Sequence, residues 1–478
     1  MQISVVNFKE IKKIQDFRID AECFKPIHLQ TENLIAKKRH ETIEYLSESV
    51  INFGAYSLCN FIEFLDKGIP FIVTEDIKNN IIDTDNLHYI SKDVHKILHK
   101  SHCRSGQVLL TMAGAYLGQS AVYYLDFEAS SNQAIAKITL KQNSIEPFYL
   151  STFLNCIYGQ SQIERFRTGT GQPNLNLGLI KTIRIPCLNE EFQAFIKQLT
   201  LKGIDFHKQS KNLYNQAEQI LLSELGLLNW KPKRRLSFIK NFSDTQDSER
   251  IDAEYFQPMY EGVVKAVKSF KNHASLGDIV SIKKCIEPGS EVYQDSGIPF
   301  LRVSNLSKFG INNNNQQFIS EALYDSLKAH QPKKDEILIS KDATPGIAYY
   351  LKDVLGKTIP SSGILRVTVK DADRVYPEYL TLVLNSVIVQ KQIERDAGGS
   401  IINHWLVDQV KDTLIPILST STQKQISEKV NQSFCDREQS KRLLAIAKRG
   451  VEMAIERNEK DARVWIDMEL KKFNVRLN

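Results

Sequence analysis

The chain has 478 residues, with 62 Lys+Arg against 56 Asp+Glu for a formal net charge of +6, and is 42% hydrophobic and 25% charged. Such a balance excludes disorder as the main state, because there is enough apolar surface to offset chain entropy. No run approaches the roughly 18 apolar residues of a membrane span, and 22 Gly with 14 Pro exclude a collagen-like chain. The seven cysteines (Cys23, Cys59, Cys103, Cys156, Cys187, Cys285, Cys435) are odd in number, scattered and without a Cys-x-x-Cys pair. They read as reduced thiols of a cytoplasmic protein. The N-terminal stretch is charged from Lys9 onward and lacks the apolar core of a secretory signal. A charge of +6 permits a nucleic-acid partner but does not argue for one alone.

At about 150 residues per domain the length suggests three domains, but internal repeats change that count. Arg18-Ile19-Asp20-Ala21-Glu22 recurs at Arg250-Ile251-Asp252-Ala253-Glu254, an offset of 232. Gly68-Ile69-Pro70-Phe71 recurs at Gly297-Ile298-Pro299-Phe300, an offset of 229. Gln162-Ile163-Glu164-Arg165 recurs at Gln392-Ile393-Glu394-Arg395, and Ile185-Pro186 at Ile415-Pro416, both at 230. Four collinear matches describe a tandem duplication of whole domains, since the period is too long for a solenoid.

Each copy opens with a short apolar strand (3–8 and 238–242), the Arg-Ile-Asp-Ala-Glu segment and a helix started by Pro26 or Pro258. Short runs rich in Val, Ile, Tyr and Thr follow, at 70–74, 108–111, 121–125 and 135–140, then at 299–303, 337–340, 348–351 and 364–369. They predict a mainly β body. A helix (147–167; 377–395), a glycine loop and one more strand complete each body. A long helix then closes each copy. Over 189–225 apolar or small residues fall at 192, 196, 199, 203, 206, 210, 213, 217 and 220. This is an a/d seam on a rod of roughly 54 Å at 1.5 Å per residue. A second rod over about 420–470 has a less regular middle, so a register shift is expected near 437–441. The expected fold is α+β: a tandem pseudo-twofold repeat of two mainly β domains, joined by two long helices packed as an antiparallel coiled coil. The expected boundaries are 1–188 and 230–418 for the two domains, 189–229 for the central spacer helix and 419–478 for the C-terminal one.

The ordered set of motifs resembles the specificity subunit of type I DNA restriction-modification enzymes. Ser296-Gly297-Ile298-Pro299-Phe300-Leu301-Arg302-Val303-Ser304-Asn305-Leu306 is close to that family's pattern, as is Lys334-Asp335-Glu336-Ile337-Leu338-Ile339-Ser340. Gly169-Thr170-Gly171-Gln172-Pro173-Asn174-Leu175-Asn176 resembles its Gly-Thr-x-Gln-x-x-Leu-Asn loop, and 216–227 is similar to the end of its central helix. The second copy departs at Gly398-Gly399-Ser400-Ile401-Ile402-Asn403-His404, which lacks the Gln. The resemblance implies a non-catalytic subunit whose two domains each read one half of a bipartite double-stranded DNA site. Its helices would set the unread gap and dock two methyltransferase subunits, with motor-endonuclease subunits in the full complex. S-adenosylmethionine, ATP and Mg would belong to those partners, with no cofactor or metal in this chain and no membrane partner.

Within one chain, segments that match hold the scaffold and segments that differ are where different bases are read. Base edges favour Arg or Lys for guanine and Asn or Gln for adenine, while phosphates favour Lys, Arg, Ser and Thr. The candidates are Tyr56, Thr74, Lys78, Tyr116, Asn132, Gln133, Arg167 and Gln172 in the first copy. In the second they are Tyr293, Arg302, Asn305, Lys341, Thr344, Ser361, Ser362 and His404. Each has a plainer reading as a solvated loop residue or turn former. Catalytic signatures are missing: Gly356-Lys357-Thr358 lacks the upstream glycine of a phosphate loop, and no Asn/Asp-Pro-Pro-Tyr/Phe occurs. His95, His99, His102 and Cys103 have ligand-like spacing, but the plainer reading is a basic surface. Lys231-Pro232-Lys233-Arg234-Arg235 reads as a solvated linker or a phosphate contact. The competing function is a two-headed protein-binding scaffold without DNA specificity.

Overall fold

The computed structural model describes residues 4, 6–11, 19–54, 60–167, 173–248, 250–398, 403–473 and 475. The chain divides into two compact units. Unit 1 comprises Met1–Lys208 and Arg437–Asn478; unit 2 comprises Gln209–Asp436. Both are mixed α/β, and both cuts fall inside long helices, Glu190–Glu224 and Thr420–Glu456.

In unit 1 an antiparallel sheet runs Ser47–Ile51, Ile135–Leu140, Val108–Thr111, Ser120–Val122 in spatial order. A second sheet runs His88–Ile90, Ile69–Ile72, Ala129–Ser131, His102–Cys103, with Ile69–Ile72 parallel to Ala129–Ser131. In unit 2 the first sheet runs Val280–Lys284, Ile364–Val369, Ile337–Ser340, Ala348–Tyr350. The second runs Gln317–Ile319, Ile298–Leu301, Ile359–Pro360 and contains one parallel pair. Register agrees residue for residue: Ile138 faces Val108, and Val367 faces Ile337. The strands Val108–Thr111 and Ile337–Ser340, apolar up to a terminal hydroxyl residue, are buried along their length, as strands covered on both faces must be.

The repeated Gly-Ile-Pro-Phe segment has a steric cause. Gly68 has φ +156° and Gly297 φ +137°. A Cβ on Gly68 would lie 2.2 Å from the carbonyl oxygen of Ile90, and one on Gly297 2.5 Å from that of Ile319. The neighbouring strand comes too close for any side chain.

Several expected elements differ. The single helices expected over 147–167 and 377–395 are each two: Pro147–Asn155 with Ile157–Phe166, and Pro377–Asn385 with Val387–Asp396. An asparagine ends the first of each pair by clamping an edge strand. Asn155 accepts from the Ser120 N–H (3.1 Å) and donates to its carbonyl (2.8 Å). Asn385 does the same with Ala348. The apolar strand expected over 238–242 is absent: 236–241 lacks regular structure and Phe242–Ser248 is helical. The matching 3–8 segment lies partly outside the described residues.

In unit 1 the first long helix packs on the second through Gly203, whose added Cβ would sit 3.0 Å from Leu444 Cδ2. Phe192, Phe195, Ile196 and Leu199 join Leu443, Ala447, Val451 and Ile455 in the core. In unit 2 Lys429 Nζ donates to Gln216 Oε1 (2.8 Å) and Ser433 Oγ to the Ser210 carbonyl (2.7 Å). In both units the paired positions rise on one helix as they fall on the other, so the two run antiparallel. The buried stripe passes through Tyr214 and Leu221, with Leu213 and Ile220 half-buried, one residue from the expected positions. The helix is continuous through 437–441, and in place of the expected register shift the buried small residues Ser433, Ser440, Ala447 and Ala454 keep a seven-residue spacing. The rod ends at Glu456, short of the expected 470. Asn458 caps a separate helix, Glu459–Lys472, by accepting from the Asp461 N–H.

Candidate nucleic-acid interface

One backbone frame occurs in each unit where the central strand of the first sheet ends. In unit 1 the Met112 N–H donates to the Ala134 carbonyl (2.7 Å), the Leu175 N–H to the Met112 carbonyl (2.8 Å) and the Gly114 N–H to the Pro173 carbonyl (3.1 Å). In unit 2 the Lys341 N–H donates to the Gly363 carbonyl (2.8 Å), the Trp405 N–H to the Lys341 carbonyl (2.8 Å) and the Ala343 N–H to the Asn403 carbonyl (3.0 Å). Isolated bridges pair Ala113 with Asn174 and Asp342 with His404. Buried Leu175 and Trp405 anchor the returning segment, so the exposed residue before each, Asn174 or His404, is turned away from the core.

The side chains on this shared frame differ. In unit 1 a cleft of about 290 Å3 is lined by Asn52, Met112, Ala113, Gln133 and Asn174 among others. Asn52 Oδ1 accepts from the Gly54 N–H (3.3 Å), and its Nδ2 donates to the Gln133 carbonyl (3.4 Å). In unit 2 the equivalents of Met112 and Ala113 are the charged pair Lys341 and Asp342, while Gln133 and Asn174 are replaced by Ser362 and His404. Asp342 accepts from Lys341 Nζ at 2.6 Å and from His404 Nδ1 at 2.8 Å. A carboxylate only accepts, so Nδ1 carries the proton. Gly363 leaves room for that carboxylate: its Cβ would lie 2.9 Å from Val303 Cγ2 and 3.4 Å from Asp342 Oδ2.

Next to the frame strand both units bury a cation at matched positions. Arg366 is held by Glu336, with Nε 2.7 Å from Oε2 and Nη2 2.8 Å from Oε1. At the matching place in unit 1 Lys137 is fully buried and donates to Ser131 Oγ (3.0 Å), while the position of Glu336 is taken by Gln107. Desolvation pushes the Lys137 ammonium down to about 8. A second matched pair sits in the turn after the Gly-Ile-Pro-Phe strand. Asp76 Oδ2 accepts from the Val73 N–H (2.8 Å), and Asn305 Oδ1 from the Arg302 N–H (3.1 Å). Burial raises the Asp76 carboxyl to about 6.

Residues 271–442 match a family model described as the type I restriction modification DNA specificity domain. The chain carries such a specificity domain. The type I restriction enzyme EcoBI specificity subunit of Escherichia coli is 24% identical over 163 residues, 33% of this chain and 34% of that protein. The chain thus matches about a third of that relative's length. The solved S subunit of a type I restriction-modification system from M. genitalium is 12% identical, covers 87% of this chain and 94% of its own, and has a TM-score of 0.43. The HsdS subunit of Thermoanaerobacter tengcongensis is 13% identical over 88% and 97%, with a TM-score of 0.27.

Within the specificity domain, Lys341, His404 and Ser362 lie on the frame. Thr344 is exposed and its carbonyl accepts from Ser340 Oγ. Arg302 Nη2 reaches the Asn315 carbonyl (2.6 Å), and the Tyr293 hydroxyl donates to Glu287 (3.1 Å). Ser361 is buried, its N–H bonded to the Leu301 carbonyl. The expectation of a base contact at Asn305 is corrected: the residue is fully buried, and its Nδ2 donates to the Asn314 carbonyl, so it builds the turn.

Of the candidates in unit 1, Gln133 lines the cleft. Asn132 supports it, its Oδ1 accepting from the Ala134 N–H (3.2 Å). Tyr116 is half-buried in the turn Gly114–Tyr116, and Thr74 opens the turn Thr74–Asp76. Lys78 pairs with Asp83 (3.6 Å) and Arg167 with Glu164 (2.9 Å). Tyr56 and Gln172 lie outside the described residues. Asn52, Asn174 and Asp342 were not among the named candidates. The signal for two of them was adjacency: Asn174 precedes an apolar anchor and Asp342 follows Lys341. His95 and His102 stack with ring centroids 3.8 Å apart. His95 Nδ1 bonds Ser130 Oγ, and His102 Nε2 donates to the His95 carbonyl. Among the described residues no group of three or more His, Cys, Asp or Glu is arranged to hold a metal, and no helix is long and apolar enough to cross a membrane.

Proposed function

We propose that this chain is the non-catalytic DNA-recognition subunit of a type I restriction-modification complex. In this reading its two mainly β bodies are copies of one domain, and each reads one half of a bipartite double-stranded site. The observation that carries it is the backbone frame built twice with the same hydrogen bonds and different side chains. A reader of two unlike half-sites needs a constant scaffold and variable contact groups. The specificity-domain match over the second body supports the same conclusion. The two long helices, antiparallel within each unit, form a coiled coil that fixes the gap of unread bases. They also dock two methyltransferase subunits, with motor-endonuclease subunits joining the full complex. The adenine-methylating and ATP-driven chemistry, with its S-adenosylmethionine, ATP and Mg, resides on those partners.

The full chain is expected to bind one split duplex sequence, with affinity falling steeply as salt rises, and to show no methylation by itself. Adding the methyltransferase partner is expected to methylate that one split site. Methylation by the isolated chain, or DNA binding indifferent to both sequence and salt, would refute the proposal.

A further inference from the structure

The shared frame carries different hydrogen-bonding groups in the two units. Unit 1 offers carboxamides: Gln133 and Asn174, with Asn52 beside them in the same cleft. A carboxamide presents a donor and an acceptor side by side, the complement of adenine, which shows N7 as acceptor and N6 as donor in the major groove. At the equivalents of Met112, Ala113 and Asn174 unit 2 holds Lys341, Asp342 and His404. An ammonium only donates, and guanine shows two acceptors, N7 and O6. Lysine on a loop ordinarily follows phosphates. Lys341 is held at 2.6 Å by Asp342, its side chain only 22% exposed, so it has lost the freedom to do so. One of its three N–H groups is engaged by that carboxylate, which leaves two for a base. The same carboxylate fixes His404 through Nδ1 and leaves Nε2 on the open side of a ring that is 54% exposed. Gly363 is where the two units must differ. Ala134 fits beside Ala113, whereas a methyl group at 363 would crowd Val303 and the Asp342 carboxylate.

We propose that the frame reads base pairs of opposite class in the two units: an adenine·thymine pair through Gln133 and Asn174 in unit 1, and a guanine·cytosine pair through Lys341 and His404 in unit 2. Asp342 is the positioning residue for both unit-2 contacts. This rests on the reading of the chain as a DNA-recognition subunit, and it adds which groups read which class of base.

The test incubates the full chain with a pool of randomised DNA duplexes and sequences what is retained. The wild-type pool is expected to show two blocks at a fixed gap, with an obligatory A·T pair in one and an obligatory G·C pair in the other. Lys341→Met is expected to weaken the guanine preference at one position by at least about fivefold, leaving the other block unchanged. The fourfold change Lys341→Met, Asp342→Ala, Ser362→Gln, His404→Asn installs the unit-1 groups and should shift that position toward A·T. Gln133→Ser should relax the adenine requirement in the opposite block. The untouched block reports within the same molecule that the chain is folded. If a variant in unit 2 abolishes its whole block, the Gln133→Ser result in unit 1 decides. Wild-type blocks without these base pairs, or preferences unmoved by Lys341→Met or Gln133→Ser, would overturn the assignment while leaving DNA recognition intact. A pool in which the wild-type chain enriches no common sequence would overturn DNA recognition itself.

Discussion

Arg366 closes a two-point ion pair on Glu336 in the interior of unit 2, with both side chains almost wholly removed from solvent. A third bond, from Nη1 to the Ala329 carbonyl (3.0 Å), completes the guanidinium. Buried pairs of this kind are weak net stabilisers, but breaking one strands an uncompensated charge. Glu336→Ala is therefore expected to destabilise unit 2 by about 3–5 kcal/mol. Glu336→Leu combined with Arg366→Met removes both charges and should stay within about 2 kcal/mol of the wild type. Hydrogen exchange of peptides covering 337–340 and 364–369 measures both.

Lys137, at the matching place in unit 1, donates to the Ser131 hydroxyl instead of a carboxylate, and burial lowers its ammonium to about 8. In the unfolded chain the same group titrates near about 10.4. Between those values unfolding takes up a proton, so stability rises with pH; below about 8 both states are charged and the cost is constant. The rise should approach about 3 kcal/mol as an upper limit. Lys137→Met should remove it and raise stability at neutral pH. Thermal unfolding of the two proteins across this alkaline range checks both, and parallel curves would contradict the assignment.

Asp76 and Asn305 solve one turn with different protonation behaviour. The folded chain keeps the Asp76 proton up to about 6, whereas the unfolded chain releases it near about 3.9. Stability of unit 1 should fall as pH rises through that interval, with the full cost present above it. Asp76→Asn copies unit 2, keeps the acceptor for the Val73 N–H and is expected to stabilise unit 1 by about 1–3 kcal/mol at neutral pH. Denaturant titrations on either side of the interval measure the difference.

Gly68→Ala and Gly297→Ala each place a methyl group inside van der Waals contact of a backbone carbonyl on the adjacent strand. That strand must separate, at an expected cost of about 2 kcal/mol or more. The loss should stay local. Faster exchange at His88–Ile90 is expected for the first variant and at Gln317–Ile319 for the second.

Adding or removing residues within 189–225 is expected to change the gap between the two half-sequences and leave both half-sequences intact. Methylation mapping of the complex reads this directly. Altered half-sequences with an unchanged gap would refute the spacer role.

Much of the organisation was legible because identical short motifs mark both copies, and those motifs hold backbone geometry. Gly68 and Gln162 illustrate this. The glycine admits a neighbouring strand. The glutamine clamps a strand start by accepting from the Arg184 N–H and donating to its carbonyl, as Gln392 does with Leu414. The proposed contact groups leave no such trace, since Asn174 and His404 differ in type and are found only once the frame aligns them. Lys137 and Arg366 were invisible for another reason. A charged residue in an apolar strand reads as outward-facing by the period-two rule, yet here both faces of the sheet are covered. The helix breaks at Cys156 and Ser386 depend on the asparagine before each reaching an edge strand distant in sequence, which local propensity does not register.

The division of the chain has a consequence for its synthesis. Unit 2 is one uninterrupted stretch, Gln209–Asp436, and can close its core as soon as that stretch is made. The first segment of unit 1 emerges from the ribosome before unit 2 but shares its core with Leu443, Ala447, Val451, Ala462 and Ile466, which are made after it. The first body must wait, with apolar surface uncovered, for more than two hundred residues of translation (209–436) before its missing helices arrive. Ribosomes that stall in that window release a product with an open first core, the kind of exposed surface that chaperones and proteases act on.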